Sequence, residues 1–219
     1  MKFNIAGISI RSIVGENYSL FIAEICDYSF LKNWLKLLDA AEITRYNNYQ
    51  FEGDAQKFAA RRFIAKTIIA QNFPAIELPF SLHYTASGKP FLDDKSCWFN
   101  WSHSRNYIAV AISDKYPVGI DIEYIDPEFD FMPLWKEITG TTAVSPDLQT
   151  FYRYWTVREA LAKLSGTGLN EDILNYELNC LPPHYNITVS DPDLIIIQKS
   201  ISDFQICLAA NTQIIKANT

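Results

Sequence analysis

The sequence predicts an α+β chain of two similar halves, each a long helix packed on a small, mostly antiparallel sheet. Three observations carry this. Two segments, roughly Asp54 to Gln71 and Pro146 to Leu164, repeat apolar residues at helical spacing. Short alternating runs surround both, as half-buried strands do. The rough order of strands, helix and strands occurs twice without sequence self-similarity. The halves are expected to be residues 1–115 and 116–219 of a chain of 219, long enough for one large domain or two small halves.

Phe3 to Ile10 and Tyr18 to Ile25 alternate as two strands. Ser29 is placed to cap a short helix over Leu31 to Leu38. In the first long helix Phe58, Ile64, Ala65, Ile68 and Ile69 form the apolar face, Asp54 is a cap or first-turn acid, and Pro74 and Pro79 end the element. Trp98 to Trp101, Tyr107 to Ile112 and Val118 to Ile125 read as three strands joined by polar turns. The second long helix has Ser145 at its cap and Pro146 at its first position, with Gly166 and Gly168 at its stop. Ile173 to Leu178, Tyr185 to Val189, Leu194 to Ser200 and Gln205 to Ala209 complete a meander.

Composition excludes several classes. Hydrophobic residues make up 48% and charged residues 20% of the chain, which is globular composition. Asp and Glu number 25 against 19 Lys and Arg, a formal charge of −6, so non-specific nucleic-acid binding is not expected. No apolar run approaches the ~18 residues of a membrane span. Met1 to Ile8 alternates and does not read as a signal peptide. Cys26, Cys97, Cys180 and Cys207 lie far apart, which suggests reduced thiols in a cytoplasmic protein, and His83, His103 and His184 are too scattered for a His-based metal site.

Four constellations could carry chemistry. In Gly119-Ile120-Asp121-Ile122-Glu123, strand alternation turns Asp121 and Glu123 to one face. Two such carboxylates are costly to bring together without a cation between them, and hard oxygens suit Mg²⁺; a solvated strand face is the plain alternative. In Trp155 to Lys163, Glu159 and Lys163 stand at i and i+4 on one helix face, either as an exposed ion pair or as a third carboxylate with a lysine beside bound phosphate. In Asn100-Trp101-Ser102-His103-Ser104, a loop His flanked by hydroxyls can donate to a phosphate oxygen, or the serines simply bond their own turn. No nucleophile elbow surrounds either serine. Finally Lys57 and Arg61 on the first long helix, Arg45 upstream and the Gly88-Lys89-Pro90 turn offer anion-binding groups or ordinary surface charge. No P-loop or dinucleotide fingerprint is present.

Taken in order, Gly88-Lys89-Pro90, Asn100 to Ser104, Val118 to Glu123, and Trp155 to Lys163 with Gly166 and Gly168-Leu169 resemble the 4′-phosphopantetheinyl transferases of the larger, two-halved class. The resemblance runs from about residue 42 to residue 170. It implies that coenzyme A donates its phosphopantetheine arm to a serine of an apo acyl or peptidyl carrier protein and that 3′,5′-ADP leaves, a reaction of the holo-acyl-carrier-protein synthase type. Asp121, Glu123 and Glu159 match the metal acids, for magnesium or manganese in its place. The ion would bridge pyrophosphate oxygens and orient the serine. Glu159 also matches the proposed general base, and Lys163 the lysine beside the leaving group. His103, Ser102 and Lys89 match coenzyme A contacts, and Arg45, Lys57 and Arg61 fall in the segment that holds its 3′-phosphate and adenine end. The resemblance further implies an active site between the halves and a monomer.

There are departures. Arg158 stands where the family usually has Lys. The stretch from Asp126 to Pro146 lacks the family's acidic helix start; there Phe129, Phe131, Met132, Leu134 and Trp135 are either a carrier-contact surface or core. Asp121 and Glu159 are expected to face solvent. Two rival readings are another Mg²⁺-dependent phosphotransferase with the same acids and a non-catalytic coenzyme A- or carrier-binding module.

Overall fold

A computed structural model describes residues 2–5, 8–29, 31–93, 96–139, 146–181 and 186–213. It is a mixed structure of helices and antiparallel sheets, as expected. Contacts divide the chain into two compact units, residues 1–115 and 116–219.

In the first unit, β1 (Lys2–Ile5), β2 (Ile8–Val14) and β3 (Ser19–Glu24) are followed by α1 (Leu31–Trp34), a 3₁₀ turn (Leu35–Leu37), α2 (Ala40–Asn47) and α3 (Glu52–Asn72). The short β4 (His83–Tyr84) and β5 (Pro90–Phe91) form a ribbon, and β6 (Trp98–Ser104) and β7 (Tyr107–Ser113) form a hairpin. The main sheet is antiparallel with the order β1-β2-β3-β7-β6. Its face buries Ile10, Phe21, Ile108 and Val110 against Phe63, Ile64 and Ile68 of α3. Glu52 and Asp54 fill the first turn of α3, so Asp54 is the first-turn acid and not the cap.

The second unit opens with β8 (Val118–Tyr124) and continues through α4 (Met132–Thr139), α5 (Leu148–Ser165) and α6 (Glu171–Leu174). β9 (Leu178–Leu181), β10 (Asn186–Val189), β11 (Leu194–Ile201) and β12 (Phe204–Asn211) follow. The sheet β11-β12-β8 is antiparallel, with Asp121 opposite Cys207 and Gly119 opposite Ala209. Helix α5 buries Phe151, Val157 and Leu161 against Cys207 and Ala209. Its N-cap is Asp147, whose carboxylate accepts from the Thr150 amide at 2.7 Å, and Gly166 ends it in the left-handed region at φ 72°.

Several local expectations are corrected. Phe3 to Ile10 is interrupted: β1 and β2 are two strands of a hairpin. Ser29 does not cap a helix; its amide and hydroxyl both bond the Asp27 carboxylate. The 31–38 helix breaks into α1 and the 3₁₀ turn. Ile173 to Leu178 is not one strand, because Asn170 caps the Ile173 amide at 3.0 Å and starts α6. Ser145 and His184 lie outside the described residues, as does the side chain of Cys180. Among the described residues Cys26, Cys97 and Cys207 form no disulfide. No helix among the described residues is long and apolar enough to cross a membrane.

Candidate active site

Strand β8 and helix α5 bring three of the expected groups together. Side chains alternate along β8, so Gly119, Asp121 and Glu123 share one face with their partners Ala209, Cys207 and Gln205 on β12. That face meets α5, which carries Glu159 and Lys163 one turn apart. The Lys163 ammonium donates to Asp121 Oδ1 at 2.5 Å and stands 4.0 Å from Glu159 Oε2. A single cation therefore stands near two carboxylates from different elements and offsets their mutual repulsion.

Burial corrects one expectation. Asp121 does not face solvent; it is 1% exposed. Its position opposite Cys207 places it under α5, and burial together with the nearby Asp121 charge pushes the Cys207 thiol well up. Glu159 is half-buried. Burial raises its carboxyl above the ordinary value, the Lys163 charge opposes the rise, and the Asp121 charge adds to it. Glu123 is half-buried at the end of the same strand face. The pair Glu159–Lys163 is thus not an ordinary exposed i,i+4 bridge, because Lys163 reaches across to the strand.

Among the described residues, no three His, Cys, Asp or Glu side chains are grouped as ligands for a metal ion. The cation at the centre is the Lys163 ammonium. Even so, the donor set fits Mg²⁺, a hard ion that is held by one or two carboxylates and takes its remaining ligands from water and phosphate. Asp121 and Glu159 supply two such carboxylates around one cation, and their charge exceeds that of Lys163.

Arg158 has a structural job. It is buried: Nη2 donates to the Tyr154 hydroxyl at 2.5 Å, Nη1 donates to the Ile173 carbonyl, and the guanidinium lies 4.9 Å from the Tyr154 ring centre. It ties α5 to α6. Of the aromatic residues after β8, Trp135 is buried and Phe131 stacks on Phe151 at 4.9 Å, so both are core; Phe129 is the exposed one.

The first unit holds the remaining expected residues. Lys89 follows Gly88, which turns the chain at φ 83°, and its amide donates to Thr85 Oγ1 at 3.0 Å. Burial lowers the Lys89 ammonium to about 8. Residues 100–104 are not a loop: they belong to β6, and the turn is Arg105–Asn106, with Arg105 at φ 50°. Strand alternation therefore sends buried Ser102 and exposed His103 to opposite faces of the sheet. Arg61 Nη2 donates to the Arg105 carbonyl at 3.2 Å, bracing that hairpin from α3. Lys57 is exposed and pairs with Asp54 at 3.3 Å. Arg45 is exposed with its guanidinium 5.1 Å from the Phe58 ring centre.

Sequence reasoning missed Arg62 and Lys66. Arg62 pairs with Glu42 at 3.3 Å and lies 4.6 Å from the Trp101 ring centre and 5.2 Å from that of Phe58. Lys66 is fully buried and donates to Glu42 Oε2 at 2.5 Å. The available signal was spacing: Phe58, Arg62 and Lys66 recur at i, i+4 and i+8, on the same stripe of α3.

The comparison with known proteins falls on the strand and helix that hold the acids. The 4′-phosphopantetheinyl transferase superfamily model matches residues 117–191. Through this segment the chain is similar to the 4′-phosphopantetheinyl transferase superfamily. Among its relatives is the 4′-phosphopantetheinyl transferase HetI of Nostoc sp., 29% identical over 153 residues, which cover 64% of this chain and 65% of that protein. A phosphopantetheinyl transferase of Thraustochytrium sp. is 30% identical over 154 residues, 60% of this chain and 54% of its own. The 4′-phosphopantetheinyl transferase AcpT of Escherichia coli is 39% identical over 92 residues, 38% of this chain and 47% of its own. The chain spans less than two thirds of the length of these relatives. Asp121, Glu123, Glu159 and Lys163 all lie in the transferase superfamily segment, whereas Arg45, Lys57, Arg61, Lys89, Ser102 and His103 precede it.

Proposed function

We propose that this chain transfers the 4′-phosphopantetheine arm of coenzyme A to a serine of an apo acyl or peptidyl carrier protein and releases 3′,5′-ADP, as a holo-acyl-carrier-protein synthase-type enzyme. The observation that carries the reading is the convergence of Asp121, Glu159 and Lys163, within the superfamily segment, on one partly buried spot.

The serine Oγ attacks the phosphorus that bears the pantetheine arm, and the bond from that phosphorus to the oxygen of 3′,5′-ADP breaks. Glu159 takes the serine proton. Its upward shift by burial makes it a stronger base than a solvated glutamate. Lys163 supplies positive charge or a proton to the leaving phosphate oxygen, and its hydrogen bond to Asp121 keeps it aimed. Asp121, Glu159 and Glu123 would hold a magnesium or manganese ion, which when bound neutralises pyrophosphate charge and aligns the reacting oxygens.

The first unit is assigned to coenzyme A. Lys89 and His103 take the pyrophosphate, Ser102 is a separate coenzyme A contact because it faces the other side of β6 from His103, and Arg45, Lys57 and Arg61 take the 3′-phosphate and adenine end. What supports this is a set of cations on α2, α3 and the Gly88 turn in a chain that is acidic overall. Arg61 carries the weakest case, since its guanidinium is already used on the Arg105 carbonyl.

The test is a mass-shift assay. The protein is incubated with coenzyme A, Mg²⁺ and a panel of apo carrier proteins, and the expected result is one phosphopantetheine added to a carrier serine. Tight coenzyme A binding without any mass gain would point to a binding module instead. Turnover of a nucleoside triphosphate in place of coenzyme A would point to a different phosphotransferase.

A further inference from the structure

Gly119 lies two residues before Asp121 on β8, on the face that meets α5. A Cβ at this position would stand 2.2 Å from the Ala160 carbonyl oxygen, 2.4 Å from the Leu164 amide nitrogen and 2.8 Å from Leu164 Cα. All three are backbone atoms of α5, so no rotamer change can make room. Its φ is not in the left-handed region, so the glycine answers a demand for space and not for backbone conformation. The cross-strand neighbour, Ala209, is small as well. The point of contact is adjacent to the chemistry: Ala160 follows Glu159, and Leu164 follows Lys163.

We propose that Gly119 is a positioning residue: the missing side chain sets the separation of β8 from α5, and with it the distance of Asp121 from Glu159 and Lys163. Carbon and oxygen atoms not bonded to one another settle near 3.5 Å, so an added methyl group drives the helix back by about 1 Å. Lys163 Nζ, now 2.5 Å from Asp121 Oδ1, then passes beyond the usual hydrogen-bond range. A misplacement of about 1 Å in a reacting group costs up to ~10²-fold in rate. The rate consequence rests on the transferase reading; the spacing itself does not.

Two readouts separate the two. The first is a stability double-mutant cycle of Lys163→Met and Asp121→Asn, measured by urea unfolding with and without Gly119→Ala. The coupling between positions 121 and 163 should be clear with Gly119 and largely lost with Gly119→Ala; a coupling that survives overturns the inference. The second is single-turnover transfer. Gly119→Ala should slow it by roughly 10- to 100-fold with the KM for coenzyme A nearly unchanged. Adding Asp121→Glu, whose extra methylene spans the gap, should recover part of that loss. Gly53→Ala on α3, where nothing lies within 4 Å of the added carbon, should keep the wild-type rate. If Gly119→Ala does not fold, Asp121→Glu alone decides: the longer acid is crowded by a fixed helix and slows transfer by roughly 10-fold, and a wild-type rate overturns the inference. Should the wild-type protein transfer nothing, the transferase reading fails while the stability cycle still decides the role of Gly119.

Discussion

Replacing Lys163 with Met separates a built active site from an exposed helix salt bridge, because the two carry different energies. An exposed i,i+4 pair contributes about 0.3–0.5 kcal/mol. Breaking a buried ion pair costs about 3–5 kcal/mol, since a desolvated charge is left behind. Here the Asp121 side chain is 1% exposed, Glu159 23% and Lys163 30%. Lys163 thus bridges a buried acid and a half-buried one while remaining in touch with water, and the expected cost of Lys163→Met at pH 7 is about 2 kcal/mol. For a chain of this size that is a fall of roughly 4–8 °C in Tm. The cost should depend on pH. Glu159 is raised by burial, so the folded state binds its proton more tightly than the unfolded state does, and stability declines as pH rises past the ordinary glutamate value. Lys163 opposes that rise. Without it the decline steepens, so the variant should lose more at pH 7 than at pH 4. Millimolar Mg²⁺ should restore part of the loss by replacing the ammonium between the acids. Urea unfolding at both pH values, with chelator and with Mg²⁺, measures all of this. A cost of about 0.5 kcal/mol or less, indifferent to pH and to Mg²⁺, would refute the reasoning and return Lys163 to a solvated helix face.

Three further outcomes follow from the same geometry. Glu159→Gln should abolish single-turnover transfer while Tm at pH 7 holds or rises, because it removes a charge that burial opposes; appreciable turnover would remove Glu159 from the base position. Lys89 loses its charge as pH rises through about 8, so calorimetry should show coenzyme A binding weakening between pH 7 and 9 in the wild type and much less in Lys89→Met. Arg158→Lys keeps the charge but not the fork that reaches both Tyr154 and the Ile173 carbonyl, and urea unfolding should show a loss of about 2 kcal/mol.

The two long helices were legible because each carries its own apolar period and its own stop signals: Phe58 to Ile69 with a proline beyond, and Phe151 to Leu161 with Gly166 beyond. Helix α2 was legible in principle too. Asp39 and Glu42 form a capping box, with Glu42 N to Asp39 Oδ1 at 2.9 Å and Asp39 N to Glu42 Oε2 at 3.1 Å, and that spacing is a sequence-level signature of a helix start. Helix α6 was harder, because four residues give no period to read. The β6 strand was cut short because its outer half, Trp101 to Ser104, is polar and mixed, and its extent is fixed by pairing with β7 rather than by its own pattern.

Sequence alone determined which residues share a face. Alternation placed Asp121 beside Glu123, and helical spacing placed Glu159 beside Lys163, since both are properties of one element's geometry. Tertiary structure alone decided how those faces meet. Burial of Asp121, the reach of Lys163 to it and the burial of Ser102 beside an exposed His103 all depend on which element covers which face. The same holds for Gly119: in sequence it is one residue of a strand, and only the backbone of α5 pressed against it shows why a side chain has no place there. Local interactions fix the elements, but burial and charge at a site are set by contacts between residues far apart in the chain, which no local pattern records.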